Sequence, residues 1–366
     1  MVLSIRVFVF QLKEGTSKMS ELEQKFVDET TKLSPEMFKP AESSDTEDNE
    51  KITAPSLSFL QDSWRRLKKN KAAVVSLFVL IVFVILSIAA PVISPHEPNV
   101  QIVSQANLPP KIPGVNINGL NGTQMLGGTR VDKYQEQNVP KDTYYILGTD
   151  GLGRDLLSRI LHGTRVSLLI AFVAALFDLT VGVIYGLVSG WMGGRVDNAM
   201  QRLLEILSGV PNLVVVILML LVLDPGIKSI IIALAITGWI SMARVIRAQT
   251  MKLKNQEYIL AAKTLGESPV KIAIKHIIPN LSGIIIIQTM FSIPAAIFFE
   301  AFLSFIGIGI PAPTASLGTL INDGYKTFRF LPHLMWYPAA VICILMISFN
   351  LLADGLRDAF DPKMKD

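Results

Sequence analysis

WRRLKKNKAAVVSLFVLIVFVILSIAAPVI, Trp64 to Ile93, decides the fold. Arg65, Arg66, Lys68, Lys69 and Lys71 crowd its start, and no charged residue stands between Ala72 and Ile93. An apolar run of this length matches the roughly 20 residues that cross a bilayer core as a helix. A basic cluster directly before such a run is the positive-inside signal, so the N-terminus is expected in the cytoplasm with Trp64 at the interface. No A-x-A-like cleavage site closes the run, which reads as an uncleaved first helix. Because the apolar run follows at once, the cations point to membrane lipid, and no nucleic-acid partner is expected.

The same signature recurs along the chain. Half of the 366 residues are hydrophobic and 17% are charged, against roughly a quarter charged in soluble domains. Further spans are expected at about Val166–Ser189, from Asn198–Leu207 through Pro211 to Leu223, Ile227–Ile246, Leu281–Ile308 and Met335–Leu352. The fold class is therefore all-α, a polytopic membrane protein with about six transmembrane helices. Arg195 and Arg202 follow the second span, and Arg244, Arg247, Lys252 and Lys254 mark the end of the fourth, while Asp224-Pro225-Gly226 makes a tight turn between them. That alternation predicts both termini in the cytoplasm, and the chain is expected in the plasma membrane as a multi-pass protein. The expected division is a mostly disordered tail (1–63), a basic anchor and first helix (64–93), an extracytoplasmic loop (94–163), a five-helix core (164–355) with a cytoplasmic loop at 247–279, and a cytoplasmic end (356–366). The tail is acid-rich and poor in aromatics, a composition that cannot bury a core. A short amphipathic helix at Ser20–Lys32 is compatible with it, and the apolar run at 1–16 is too short to span, which makes Met19 a plausible start. The single cysteine, Cys343, sits in an apolar span, and the four histidines are scattered. No metal site, cofactor or catalytic set is expected.

Several polar or small residues fall inside spans. Asp178 lies in the second, and an intramembrane carboxylate is either part of a pathway or paired within the bundle. Gly182, Gly186 and Gly190 form a stripe that lets two helix backbones approach closely. In the fifth span Gln288, Ser292, Ala296 and Glu300 recur every four residues. Such a stripe must face protein or water, so it lines a translocation path or makes buried hydrogen bonds.

Between the fourth and fifth spans runs EYILAAKTLGESPVKIAIKHIIPN, Glu257 to Asn280. Gly266 breaks a first helix; Ser268 and Pro269, good at the N-cap and first helical position, start a second that stops at Pro279. Ala261, Ala262, Gly266 and Pro279 keep the spacing of the EAA loop, which this stretch resembles. That loop is the cytoplasmic segment through which bacterial ABC importer permeases dock onto their ATPases. Leu260 stands where glutamate is usual, His276 where isoleucine is, and Ile278 where leucine is. By this resemblance Glu257, Ala261, Ala262, Gly266, Lys271, Lys275 and Pro279 form the ATPase-coupling loop.

Three more stretches point to one branch of those permeases. LGTDGLGRDLLSRILHGTRVS (147–167), EAFLSFIGIGIPAPTASLG (300–318) and GLRDAFDPK (355–363) resemble the C-type subunit of the oligopeptide, dipeptide and nickel importers. Asp150 and Asp155, alternating with Arg154 and Arg159, also read as an ion-pair lattice. The resemblance implies a type I ABC importer permease-like fold and transport of di- or oligopeptides. Its implied partners are a second homologous permease subunit, two cytoplasmic ATPase subunits and an extracytoplasmic peptide-binding protein. No P-loop occurs in the chain, so ATP hydrolysis would lie in the partners and the subunit is not an enzyme. Alternatives are a nickel importer permease of the same branch, or a proton-coupled secondary transporter using Asp178 or Glu300.

Overall fold

The computed structural model describes residues 59–360, Pro95 and Gly127 excepted. The tail to residue 58, with the start region and the helix expected at Ser20–Lys32, and residues 361–366 lie outside the described residues. Five helical segments are long and apolar enough to cross a membrane, and six when one sharply bent pair is counted as a span. The all-α, polytopic architecture expected from the hydropathy pattern is the one observed.

Helix α1 (Phe59–Lys69) precedes the first span, α2 (Lys71–Ile93). Asn70 caps α2 by accepting from the Ala73 amide at 3.2 Å. Leu67 and Ala73 are buried with Ala359 near the far end of the last helix, α13 (His333–Phe360). The loop that follows α2 has structure the hydropathy pattern did not signal. Strands β1 (Thr123–Leu126) and β2 (Thr129–Asp132) pair antiparallel, and Asp132 caps the single turn α3 (Lys133–Glu136). Leu108, Tyr134 and Tyr145 form a small core under them. The Tyr134 hydroxyl donates to the Pro109 carbonyl at 3.1 Å, and burial pushes this phenol's pKa above its ordinary value.

The second span, α4 (Leu156–Met192), begins ten residues before its apolar stretch. Its start is set by a cap: the Asp155 carboxylate accepts from the Ser158 amide at 3.2 Å. The polar first turns are buried by neighbouring chain, so the helix extends beyond the apolar stretch that hydropathy marks. The third span is not straight. Helices α5 (Gly194–Gly209) and α6 (Asn212–Val222) meet at 79°, because Pro211 lacks an amide hydrogen and disfavours a helical conformation at Val210. Helices α7 (Ile227–Thr237) and α8 (Trp239–Leu253) form the fourth span, interrupted at Gly238.

Helix α9 (Glu257–Thr264) ends before Gly266, whose φ of +79° is natural only to glycine. Ser268 then caps α10 (Pro269–Ile272), accepting from the Lys271 amide at 3.4 Å. The expected stop at Pro279 does not occur. A π turn at Ala273–Ile277 leads straight into α11 (Ile278–Phe305), and the helix continues through Pro279. Helix α11 also runs on through Pro294. Helix α12 (Leu317–Lys326), capped by Ser316, lies between α11 and α13. The main core joins Ile170, Ile230, Ile297, Leu303, Leu317 and Leu345 across α4, α7, α11, α12 and α13. The loop after α2 and α12 sit at one end of α4; the α9–α10 bend sits at the other, together with α1 and the C-terminal turns of α13.

Candidate functional site: a membrane cavity and the bent loop below it

A cavity of about 590 Å³ opens beside α4, where the α5–α6 bend, α7–α8 and α11 converge. Asp178, Gln288 and Ser292 all line it; Glu300 does not. Asp178 is 7% exposed, and its Oδ1 has no hydrogen-bond partner among the described residues. Its carboxylate rests on Gly238, where a Cβ would lie 2.4 Å from Oδ1. The absence of a side chain at Gly238 therefore makes the space this carboxylate occupies. Gln288 donates to Ser241 Oγ at 3.2 Å and Ser292 to the Thr289 carbonyl at 3.0 Å, leaving both partly exposed to the cavity. Arg244 lines the cavity further along α8 and donates to Ser208 Oγ at 2.7 Å.

Glu300 is fully enclosed. Ser167 Oγ donates to its Oε2 at 2.7 Å and Ser304 Oγ to its Oε1 at 2.8 Å, and the Leu317 amide donates to Ser167 at 3.3 Å. This carboxyl fastens α4, α11 and α12 together, away from the cavity. The period-four stripe on α11 thus splits: Gln288, Ser292 and Ala296 line the cavity, and Glu300 is a buried contact.

The glycines Gly182, Gly186 and Gly190 form the seam between α4 and α8. A Cβ on them would approach Met242 Cβ at 2.6 Å, the Ala243 carbonyl at 2.6 Å and the Arg247 carbonyl at 2.8 Å. The loop below is packed into the same seam. Ile259, Ala262, Ile272 and Ile277 are buried against Val183, Met242 and Ile246, and the Lys263 ammonium lies 4.4 Å from the centre of the Trp191 ring. Glu257, Ala261, Gly266, Lys271, Lys275 and Pro279 remain exposed, as do Leu265, Val270 and Ile274.

Two groups that sequence reasoning passed over organise this end. Glu267 lies 3.1 Å from Lys271, 3.7 Å from Lys275 and 3.0 Å from His276 Nε2. The Lys271 hydrogen bond, with that of His276 behind it, holds its carboxyl below the usual glutamate range. The four-residue spacing from Glu267 to Lys271 was the available signal. Asp197 takes both arms of Arg247 at 2.5 and 2.6 Å and accepts from Ser189 at 2.5 Å, tying α5 to α4 and α8. Nothing in the local sequence announces this long-range pair. At the opposite end Asp150 binds Arg154 at 2.7 Å and Arg159 at 3.5 Å, and Asp323 of α12 approaches both arginines. Among the described residues no group of three His, Cys, Asp or Glu is placed to hold a metal ion.

Residues 182–366 match the binding-protein-dependent transport system inner membrane component, and residues 58–110 match the N-terminal TM domain of oligopeptide transport permease C. The chain is 46% identical to the dipeptide transport system permease protein DppC of Lactococcus lactis subsp. cremoris, over 88% of this chain and 95% of that protein. It is 41% identical to the oligopeptide transport system permease protein OppC of Bacillus subtilis, over 90% of this chain and 97% of that one. A chain of the MetNI methionine ABC transporter overlays with a TM-score of 0.45 and 17% identity, covering 55% of this chain and 95% of that chain. With the family model spanning half of the chain and relatives above 40% identity aligned along nearly all of it, this chain belongs to the ABC importer permeases of the oligopeptide and dipeptide branch, as a C-type transmembrane subunit.

Proposed function

We propose that this chain forms one half of the translocation path of an ATP-driven importer of di- or oligopeptides. It pairs with a second, homologous permease subunit, receives substrate from an extracytoplasmic binding protein and is driven by two cytoplasmic ATPase subunits. Both of its ends lie in the cytoplasm. It hydrolyses nothing itself. The bent loop at Glu257–Pro279 is the point where force enters, with Gly266 setting the bend and Lys271 and Lys275 on its exposed face. Asp178, Gln288 and Ser292 face the path, and Gly182, Gly186 and Gly190 keep two of its helices together.

One observation carries this reading: the loop and the cavity wall share a packing unit. Ile259 and Ile277 are buried against Met242 and Ile246 of α8, and α8 meets α4 backbone to backbone along the glycine seam. A push on the loop therefore moves Asp178, Met242 and Arg244 as one body, because close-packed interiors transmit displacement rather than absorb it. Rigid rocking of such a body about a path is enough for alternating access.

The test is uptake of labelled di- and oligopeptides by proteoliposomes holding the whole importer. Uptake should vanish when a partner ATPase is inactivated, and Gly266→Val should leave insertion intact while weakening co-purification of the ATPases. Uptake that survives ATPase inactivation and follows a proton gradient would assign the chain to secondary transport. Nickel uptake without peptide uptake would change the cargo.

A further inference from the structure

We infer that the cavity is a zwitterion site in which Asp178 receives the α-ammonium of a short peptide and Arg244 its α-carboxylate. This rests on the peptide-importer reading above and assigns a chemistry to the path residues that reading names. Asp178 is 7% exposed, lies in a membrane-spanning helix and has an oxygen with no hydrogen-bond partner among the described residues. A carboxylate so placed calls for a cation. Among the described residues the one cationic side chain lining the cavity is Arg244, and it donates to Ser208. Among the described residues, the negative and the positive group thus line one cavity without pairing with each other.

The spacing suits a peptide. Arg244 lies six residues beyond Gly238, on which the Asp178 carboxylate rests, which is about 9 Å along a helix. Two to three extended residues span about 7 to 10 Å. Between the charged ends, the Gln288 amide and the Ser241 and Ser292 hydroxyls offer hydrogen bonds to peptide backbone, while Phe291 and Phe299 present surface without a charge preference. A cavity of about 590 Å³ is within the range that holds small ligands. Recognition would therefore fall on the termini and backbone that all short peptides share. Arg244 is on the side of the bent loop, so the peptide lies with its C-terminus towards the ATPases.

The experiment uses the complete importer in proteoliposomes, with trialanine and N-formyl-trialanine as probes. Uptake is divided by ATP hydrolysed and by the measured fraction of binding protein loaded. Asp178→Asn should slow trialanine uptake at least tenfold while the loaded binding protein still stimulates ATPase activity, and Asp178→Glu should restore at least half. Arg244→Gln should slow it at least threefold. N-formyl-trialanine should move in the wild type as slowly as trialanine does in Asp178→Asn. Unchanged trialanine uptake by Asp178→Asn would overturn the assignment, as would equal rates for the two probes in the wild type. Equal loss in Asp178→Asn and Asp178→Glu would make the residue a packing element, and loss of the second permease on purification would make it a subunit contact; either overturns the site. A wild-type importer that moves neither peptide would defeat the peptide reading itself, and this inference with it.

Discussion

Glu300 and Glu267 show how differently two carboxylates of one chain are used. Glu300 accepts from Ser167 and Ser304 inside the bundle, so Glu300→Ala leaves two buried hydroxyls without an acceptor. A loss of about 1–3 kcal/mol is expected for such orphaned groups, visible as a lower melting temperature of the purified complex, with Glu300→Gln milder. Glu267 is solvent-accessible and gathers Lys271, His276 and Lys275 at the bend. Its pKa is held below 4.5, so its contribution is fully present above that value and is lost as pH falls through the lowered one. Hydrogen exchange of amides 266–277 should accordingly be faster in Glu267→Gln than in wild type at pH 7, and the difference should close in acid. A difference that persists in acid would mean the carboxylate's charge is not what orders the bend. Both glutamates were visible in the sequence; their partners were not, apart from the four-residue step to Lys271. Ser167 reaches Glu300 from 133 residues away.

At the scale of elements, the glycine seam is the closest-fitting contact between α4 and α8. A Cβ on Gly186 would sit 2.6 Å from the Ala243 carbonyl and 2.7 Å from Ile246 Cβ, with backbone on one side and a branched carbon on the other. Neither can yield cheaply. Gly186→Leu should therefore lower the melting temperature of the purified chain, with an overpacking cost of at least about 1–3 kcal/mol. Gly209→Ala, where nothing lies within 4 Å of the added carbon, should not. Equal behaviour of the two variants would remove the seam from the argument. The stripe itself was legible from its four-residue period, but its partner was not: α4 could have packed on any helix, and only the fold selects α8. The π turn at Ala273–Ile277 is similar. Pro279 reads locally as a stop, yet burial of Ile272, Ile277 and Leu281 in one cluster favours continuing the helix through it.

For the whole molecule, the decisive arrangement is which segments share an end. Helix α1, the last turns of α13 and the α9–α10 bend lie together, and the β1–β2 hairpin lies at the opposite end of the bundle. Cysteines placed at Lys69 and Lys263, one at a time in a Cys343→Ser background, should react with an impermeant maleimide from the same side of the membrane. One placed at Met125, exposed in the hairpin, should react from the other. Labelling of positions 69 and 263 from opposite sides would contradict the arrangement and with it the coupling role of the bend.

The span count, the helical class and the place of the bent loop were set by the sequence alone, because each depends on local quantities. These are the length of an apolar run, a glycine that tolerates positive φ, and a serine and proline suited to open a helix. The tertiary structure alone decided which polar residues share a cavity. Asp178 and Gln288 lie 110 positions apart in the chain, and Gln288 and Glu300 share one helical stripe. Yet the first two meet across a common space while the third is sealed among serines. Helical period fixes only the direction in which a side chain leaves its own axis. What it meets there depends on which helices pack alongside, and that is settled by close fits such as the glycine seam, between residues far apart in sequence.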